Sequence, residues 1–158
     1  MEKTPPQAIR LLILDPDPSA LIYPILLKSH GIQAEIATSV EQAKTLFYKS
    51  GFDAVLSEIV FSNQVSAECV SFLRSVNMTG VPVVVNSTFS YIQGKEHLQE
   101  LKSMGAYFFK KCEHPVAMVV KGIRDALVRR RLSSYVTSFR VPAVLLRVKP
   151  ETLPRLRV

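Results

Sequence analysis

Hydrophobic and polar positions along the chain fall into alternating blocks of two kinds. One kind is a short apolar, often β-branched run, which is typical of strands, and the other repeats apolar residues at helical spacing. The strand-like runs cover residues 8–14, 32–37, 53–60, 83–85 and 106–110. The helical patterns cover residues 19–31, 39–51, 67–76, 90–105 and 115–131. The pattern therefore predicts five consecutive strand–helix units.

Local signals mark several of the predicted helix ends. Ser39 and Gln42 have the spacing of a capping box at the start of the second helix. Pro115 stands at a favourable first-turn position of the fifth helix. Pro24 lies inside the first helical pattern, so it must either kink the first turns of that helix or mark its true start.

The order of these elements favours one fold class. Five strand–helix units point to an open parallel sheet with helices on both faces. The run 83–85 is apolar in every position, which suits a central strand covered on both sides. Because parallel crossovers are right-handed, we predict an α/β fold with a doubly wound, five-stranded, flavodoxin-like sheet.

The pattern defines a domain of residues 1–131 and stops past Arg131. Residues 132–158 contain Val/Leu pairs, arginines and three prolines, and we predict that they form a basic C-terminal tail. Three interpretations of this tail stay open: an arm that docks on a partner, a linker, or the stump of a longer chain.

The net charge of +7 is distributed unevenly. Residues 1–100 carry a net charge of −3, whereas residues 101–158 carry +10. Such asymmetry suggests an anionic partner, although solvated charges on a terminal helix explain it as well. Nucleic-acid binding through Arg129, Arg130, Arg131 and the tail is therefore an alternative function, with the steep salt dependence of phosphate contacts.

Composition narrows the class of protein further. The apolar share of 47% and the charged share of 21% are those of a globular protein. No apolar run approaches the ~18 residues that span a bilayer, so no membrane association is expected. The polar N-terminus is not a secretory signal, and Cys69 and Cys112 have neither disulfide-framework nor metal-ligand spacing. We expect a cytoplasmic protein with reduced thiols.

Polar residues stand where the predicted strands end. Asp15 and Asp17 follow the first strand, Glu58 lies in the third, Ser87 follows the fourth and Lys111 follows the fifth. In doubly wound sheets, ligands bind at the carboxyl ends of the strands. Carboxylates bind a divalent cation, and a hydroxyl and an ammonium donate hydrogen bonds to phosphate oxygens. The set is typical of phosphoryl chemistry.

Four sequence blocks carry a family resemblance: "LLILDPDPS", "FDAVLSEIVFS", "VPVVVNST" and "GAYFFKK". From residue 8 to about residue 130 the chain resembles the receiver domain of two-component response regulators. The resemblance implies that Glu58 stands at the phosphoacceptor position and that Asp15 and Asp17 form the acidic pocket. It also implies that Ser87, Thr88 and Lys111 (or Lys110) stand at the phosphate-contact positions, and that Phe108 or Phe109 is the switch aromatic.

The departures from the family pattern predict a degenerate receiver. Glu58 replaces the phosphoacceptor Asp, Pro16 stands where a second metal-binding acid is expected, and Cys112 replaces a proline. A Glu carboxylate reaches one methylene too far for in-line attack, and misplacement by about an ångström can cost on the order of a hundredfold in rate. The pair Asp15 and Glu58 should bind Mg²⁺ weakly at best, so we expect no cofactor and negligible phosphorylation.

Three states of Glu58 are compatible with this sequence. Its carboxylate pairs directly with Lys111 in a permanent contact, or it is merely solvated at the sheet edge, or it keeps some phosphoacceptor activity. The leading function is a phosphorylation-independent interaction module in signal transduction, not an enzyme. A conventional phosphoacceptor receiver cut from a longer regulator is an alternative.

The resemblance also implies a contact surface for a protein partner. In the family this surface comprises the fourth helix, fifth strand and fifth helix, here about residues 91–131. It carries much of the basic charge, so we expect an acidic partner, with homodimerisation as a second option. His30, His97 and His114 are scattered and are expected to be surface or capping residues.

Overall fold

The computed structural model describes residues 7–88, 95–111 and 113–138. The main sheet is built from β1 (Ile9–Leu14), β2 (Ile32–Ala37), β3 (Ala54–Ser57), β4 (Val83–Ser87) and β5 (Tyr107–Lys110). All neighbouring strands are parallel, and the strand order is β2-β1-β3-β4-β5. The predicted five-stranded, doubly wound, flavodoxin-like sheet is therefore confirmed.

Within the described residues, five α-helices accompany the sheet: α1 (Tyr23–Lys28), α2 (Val40–Lys49), α3 (Ala67–Met78), α4 (Lys95–Ser103) and α5 (Val116–Ser138). Side chains of successive strand residues point to opposite faces. Leu12 and Leu14 accordingly join a core with α2 and α3, and Leu11 and Ile13 join a second core with α1 and α5. No helix in the described segments is long and apolar enough to cross a membrane.

The third strand ends earlier than the sequence predicts. The strand-like run covers residues 53–60, yet β3 stops at Ser57, and Glu58 is the first residue beyond it. The carboxylate of Glu58 accepts hydrogen bonds from the backbone N–H groups of Ile59 and Val60, which turns the chain away from the sheet. A separate short hairpin, Val60–Phe61 with Gln64–Val65, follows.

Pro24 marks the true start of the first helix and does not kink it. A 3₁₀ turn, Pro18–Ile22, precedes α1, and Asp17 caps this turn by accepting a hydrogen bond from the backbone N–H of Ser19. Regular α-helix begins at Tyr23, so the proline lies in the first turn, where its missing N–H costs nothing.

The start of α2 has only half of the predicted capping box. Ser39 Oγ accepts from the Gln42 N–H as expected, at 3.2 Å. The Gln42 side chain, however, accepts from the backbone N–H of Thr38 rather than from that of Ser39. The backbone N–H groups of Thr38 and Gln42 are thus bonded by a variant of the capping box that is one residue wider.

The fifth helix is longer than predicted. It runs to Ser138, seven residues past Arg131, where the sequence pattern loses its amphipathic stripe. Residues 128–134 are all exposed, so no core imposes a hydrophobic period there, and no Gly or Pro interrupts the helix. The division at residue 131 stays a prediction. Residues 139–158 of the tail and residues 90–94 of the predicted fourth helix lie outside the described residues.

Packing of α3 on the sheet generates a first prediction. Leu73 is fully buried in the core beneath α3, whereas Met78, in the same helix, is 81% exposed. Leu73→Ala should lower the free energy of unfolding by about 3 kcal/mol because it leaves a cavity. Met78→Ala, the matched control, should change it by less than about 0.5 kcal/mol. Urea denaturation followed by circular dichroism measures both, and equal effects would contradict this packing.

Candidate functional site

The polar residues at the carboxyl ends of the strands are fixed by the sheet itself. The backbone N–H of Asp15 donates to Ala37, that of Glu58 to Leu14, and that of Lys111 to Ser87, at 2.9, 2.8 and 2.8 Å. Each bond continues a strand pairing by one residue past the strand end. The structure thus brings Asp15, Glu58, Ser87 and Lys111 together at one edge.

This cluster is buried rather than solvated. Asp15, Glu58, Ser87 and Lys111 are only 3%, 4%, 3% and 7% exposed. Asp17, by contrast, keeps half of its side chain in solvent. The alternative of a Glu58 merely solvated at the sheet edge is therefore wrong, because its carboxylate lies inside the fold.

The carboxylate of Glu58 is saturated with hydrogen-bond donors. Its Oε1 accepts from the N–H groups of Ile59 and Val60, at 2.8 and 2.9 Å, and from the hydroxyl of Ser87. Its Oε2 accepts from the Thr88 N–H at 3.1 Å and from the Thr88 hydroxyl at 3.3 Å. A carboxylate offers about four lone-pair sites, so these donors use its whole accepting capacity.

Lys111 has a different principal partner from the one predicted. Its Nζ lies 2.7 Å from Asp15 Oδ2 and 2.9 Å from Asp15 Oδ1, which is a close two-oxygen contact. Glu58 Oε2 lies 4.0 Å away, at the limit of an ion pair and too far for a hydrogen bond. The expected Glu58–Lys111 pair is thus present only as an ion pair at its distance limit, and the principal partner of Lys111 is Asp15. Glu58 is held back by its bonds to the neighbouring backbone, Ser87 and Thr88.

Burial and charge act together on the two buried partners. Burial raises the pKa of Asp15, and the hydrogen bond from Lys111 opposes this without cancelling it. Burial alone would lower the pKa of Lys111, but its hydrogen bond to Asp15 and the charges of Asp15, Glu58 and Asp17 raise it overall. The carboxylates of Asp15, Asp17 and Glu58 therefore all lie within 4.0 Å of one ammonium group.

The donor set fits a divalent cation poorly. The ammonium of Lys111 contacts both oxygens of Asp15, and both oxygens of Glu58 accept hydrogen bonds from the protein. Mg²⁺ needs carboxylate oxygens that are free to coordinate it. Among the described residues, no group of three His, Cys, Asp or Glu side chains could hold a metal ion. Weak Mg²⁺ binding by Asp15 and Glu58 stays a prediction.

Phe108 and Phe109 point to opposite faces of β5. Phe108 packs against the core shared with α2 and α3, and Phe109 against the core shared with α1 and α5. The ring of Phe109 lies so close to Gly122 of α5 that a Cβ there would be 2.5 Å from it. It also meets the ring of His114 edge-on. A switch role for Phe108 or Phe109 stays a prediction.

Sequence reasoning missed one polar contact beside the site. Asn86 is buried at the end of β4, and its amide donates to the Tyr23 hydroxyl at 2.9 Å. The signal was a lone amide at the end of an apolar run, "VVVN". This bond joins the start of α1 to the strand that carries Ser87.

Comparisons with solved structures support the fold. No protein-family model matches the chain, and no curated protein matches it. Among solved structures it is similar to the chemotaxis protein CheY4 of Vibrio cholerae, at 19% identity and a TM-score of 0.61, covering 75% of this chain and 98% of that one.

Two further solved structures have the same architecture. A CheY-like response regulator receiver domain protein from Methanospirillum hungatei JF-1 is 16% identical, with a TM-score of 0.66, 80% of this chain and 98% of that one being covered. A sensor protein from Polaromonas sp. JS666 is 18% identical, with a TM-score of 0.62 and coverages of 77% and 98%. The chain therefore has the receiver-domain fold.

The Asp15–Lys111 contact generates a second prediction. Lys111→Ala should lower the free energy of unfolding by about 3 kcal/mol at pH 7, because it leaves a buried carboxylate without its partner. Ionisation of a carboxyl whose folded pKa is raised destabilises the fold, so the loss should be smaller at a lower pH, where a larger fraction of Asp15 is protonated. Chemical denaturation at both pH values measures this.

The neighbouring lysine is the matched control for that variant. Lys110 pairs with Glu113 at the surface, so Lys110→Ala should cost less than about 1 kcal/mol at either pH. Equal losses for Lys110→Ala and Lys111→Ala would mean that the buried contact is not the one described.

The thiol behind the site generates a third prediction. Cys69 is fully buried, its Sγ lies 3.4 Å from the Glu58 carbonyl oxygen, and burial raises its pKa to about 12. In a Cys112→Ser background, alkylation by iodoacetamide at pH 8 should be ~100-fold slower in the native state than in urea. Equal rates would place Cys69 at the surface.

Proposed function

We propose that the chain is a degenerate receiver that acts as a phosphorylation-independent protein-interaction module in signal transduction. The observation that carries this proposal is the set of hydrogen bonds from Ser87 and Thr88 to Glu58. The receiver resemblance assigns these two positions to phosphoryl contacts. Here a carboxylate of the protein itself already uses their donors.

Two features weigh against attack by Glu58 on a phosphoryl donor. A nucleophilic carboxylate needs a free lone pair directed at phosphorus, whereas both oxygens of Glu58 accept hydrogen bonds. The cation that would neutralise the incoming charge has no free ligand in Asp15, whose oxygens contact Lys111. The alternative of a conventional phosphoacceptor receiver requires both features to rearrange.

A site of this kind supports one conformation instead of two. In a switching receiver, phosphorylation supplies the charge that reorganises the site. In this protein the negative group at the phosphate-contact positions is permanent, so no covalent event is needed to recruit Ser87 and Thr88. The domain is then a constant binding surface, and we assign it no catalytic activity.

The partner is proposed to be an acidic protein that contacts the surface of α4, β5 and α5. The described part of this surface carries Lys102, Lys110, Lys121 and the run Arg129, Arg130 and Arg131. Homodimerisation is a second option, because α5 also exposes Val128 and Leu132, which lie one turn apart. A cytoplasmic location is part of the proposal, since the chain is expected to keep reduced thiols.

A fourth prediction is that Glu58 is not phosphorylated. It is tested by incubating the protein with acetyl phosphate and Mg²⁺ and measuring its intact mass. The unmodified protein and Glu58→Gln should gain no phosphoryl group. Glu58→Asp should gain a small fraction, because the shorter side chain releases Ser87 and Thr88. Combining it with Pro16→Asp should increase that fraction by adding a metal-binding carboxylate. Mg²⁺-dependent phosphorylation of the unmodified protein would overturn the proposal.

A further inference from the structure

A second candidate site lies at the edge of the sheet opposite the acidic cluster. A groove of about 520 Å³ opens where β4 and β5 begin, between the ends of α3 and α4 and the last turns of α5. Pro82, Val83 and Met104 give it an apolar lining, and Arg129 and Arg130 line its α5 side. The groove thus combines an apolar surface with two guanidinium groups.

One of the two groove arginines, Arg129, is held in place by the ring of Tyr107. The guanidinium carbon of Arg129 lies 4.9 Å from the centroid of the Tyr107 ring, which is cation–π distance. Since Tyr107 is the first residue of β5, the part of α5 after Arg129 extends past this edge of the sheet. A fixed planar guanidinium loses less entropy on binding a carboxylate than a free side chain does.

The cations of this groove lack the carboxylate partners that several other surface cations have. Arg10, Lys44, Arg74, Lys110 and Lys121 each have a carboxylate partner. Among the described residues, Arg129, Arg130 and Arg131 have no carboxylate within 4.0 Å, and no Asp or Glu lines the groove. Lys28 and Lys49 also have no carboxylate within 4.0 Å among the described residues, so the distinctive feature of the groove is that two such cations lie beside an apolar lining.

We propose that this groove is the docking site for an acidic peptide segment of the partner protein. Its carboxylates pair with Arg129 and Arg130, and an apolar side chain between them enters the cavity above Val83 and Met104. The inference rests on the proposed function and deepens it. It places the contact at the end of the α4–β5–α5 surface where β5 begins.

A protein ligand fits the groove better than a nucleic acid does. Phosphate backbones are bound through many cations and through aromatic platforms that stack on bases. The groove offers two arginines over an apolar lining, and the one aromatic ring among its described lining residues, Tyr107, is already covered by Arg129. A carboxylate-flanked apolar side chain uses both parts of this surface.

Fluorescence anisotropy with the full chain tests the proposal. The probe is a fluorescein-labelled decapeptide with two leucines flanked by glutamates, and a second probe replaces both leucines with serine. Arg129→Ser/Arg130→Ser should weaken binding of the leucine probe ~10-fold or more. Lys28→Ser/Lys49→Ser, which removes two exposed cations elsewhere, should weaken it less than about twofold. The serine probe should bind the unmodified chain more weakly.

Other results would overturn the proposal. No binding of the leucine probe at low salt, an equal loss in both double variants, or equal binding of the two probes would each do so. Tighter binding of a fluorescein-labelled oligothymidine of 20 nucleotides, lost on the same arginine substitutions, would assign the groove to nucleic acid instead. Phosphorylation of Glu58 is measured separately, so a failure of the proposed function is distinguishable from a failure of this site.

Discussion

A buried carboxylate with no room for further hydrogen bonds organises one edge of this protein. Removing an ionised carboxylate from water costs several kcal/mol unless donors replace the lost hydration. Glu58 obtains these donors from its own turn, through Ile59 and Val60, and from the end of β4, through Ser87 and Thr88. The same bonds end β3, start the short hairpin and connect the third and fourth strands.

The second buried carboxylate is satisfied independently. Asp15 receives the ammonium of Lys111 and the backbone N–H of Asp17, so the polar edge divides into two neighbouring networks. One network holds Glu58, which the family resemblance places at the phosphoacceptor position, and the other occupies Asp15, the acid of the expected cation pocket. Each is complete without a ligand, which is why we interpret the site as fixed. The basic groove at the opposite edge is then the more promising surface for recognition.

The fold and the position of the polar cluster could be predicted from the sequence, because both depend on the spacing of apolar residues along the chain. Strand-like and helical runs gave the parallel fold, and parallel strands bring Asp15, Glu58, Ser87 and Lys111 to one edge whatever their rotamers. The partner of Lys111 was not predictable, since Asp15 and Glu58 are both within reach and only side-chain geometry chooses between them. The end of α5 was missed for another reason: residues 128–134, the described side chains beyond Leu127, are all exposed, so this part of the sequence shows no amphipathic stripe.

The most direct test of the central claim is a ¹H–¹⁵N NMR titration of the unmodified chain with beryllofluoride and Mg²⁺. Beryllofluoride imitates a phosphoryl group on a carboxylate and needs the donors that Glu58 already holds. We expect the amide signals of Ile59, Val60 and Thr88 to keep their positions throughout the titration. Saturable, Mg²⁺-dependent shifts of these three signals would show that Glu58 releases its partners and that the site is a working switch.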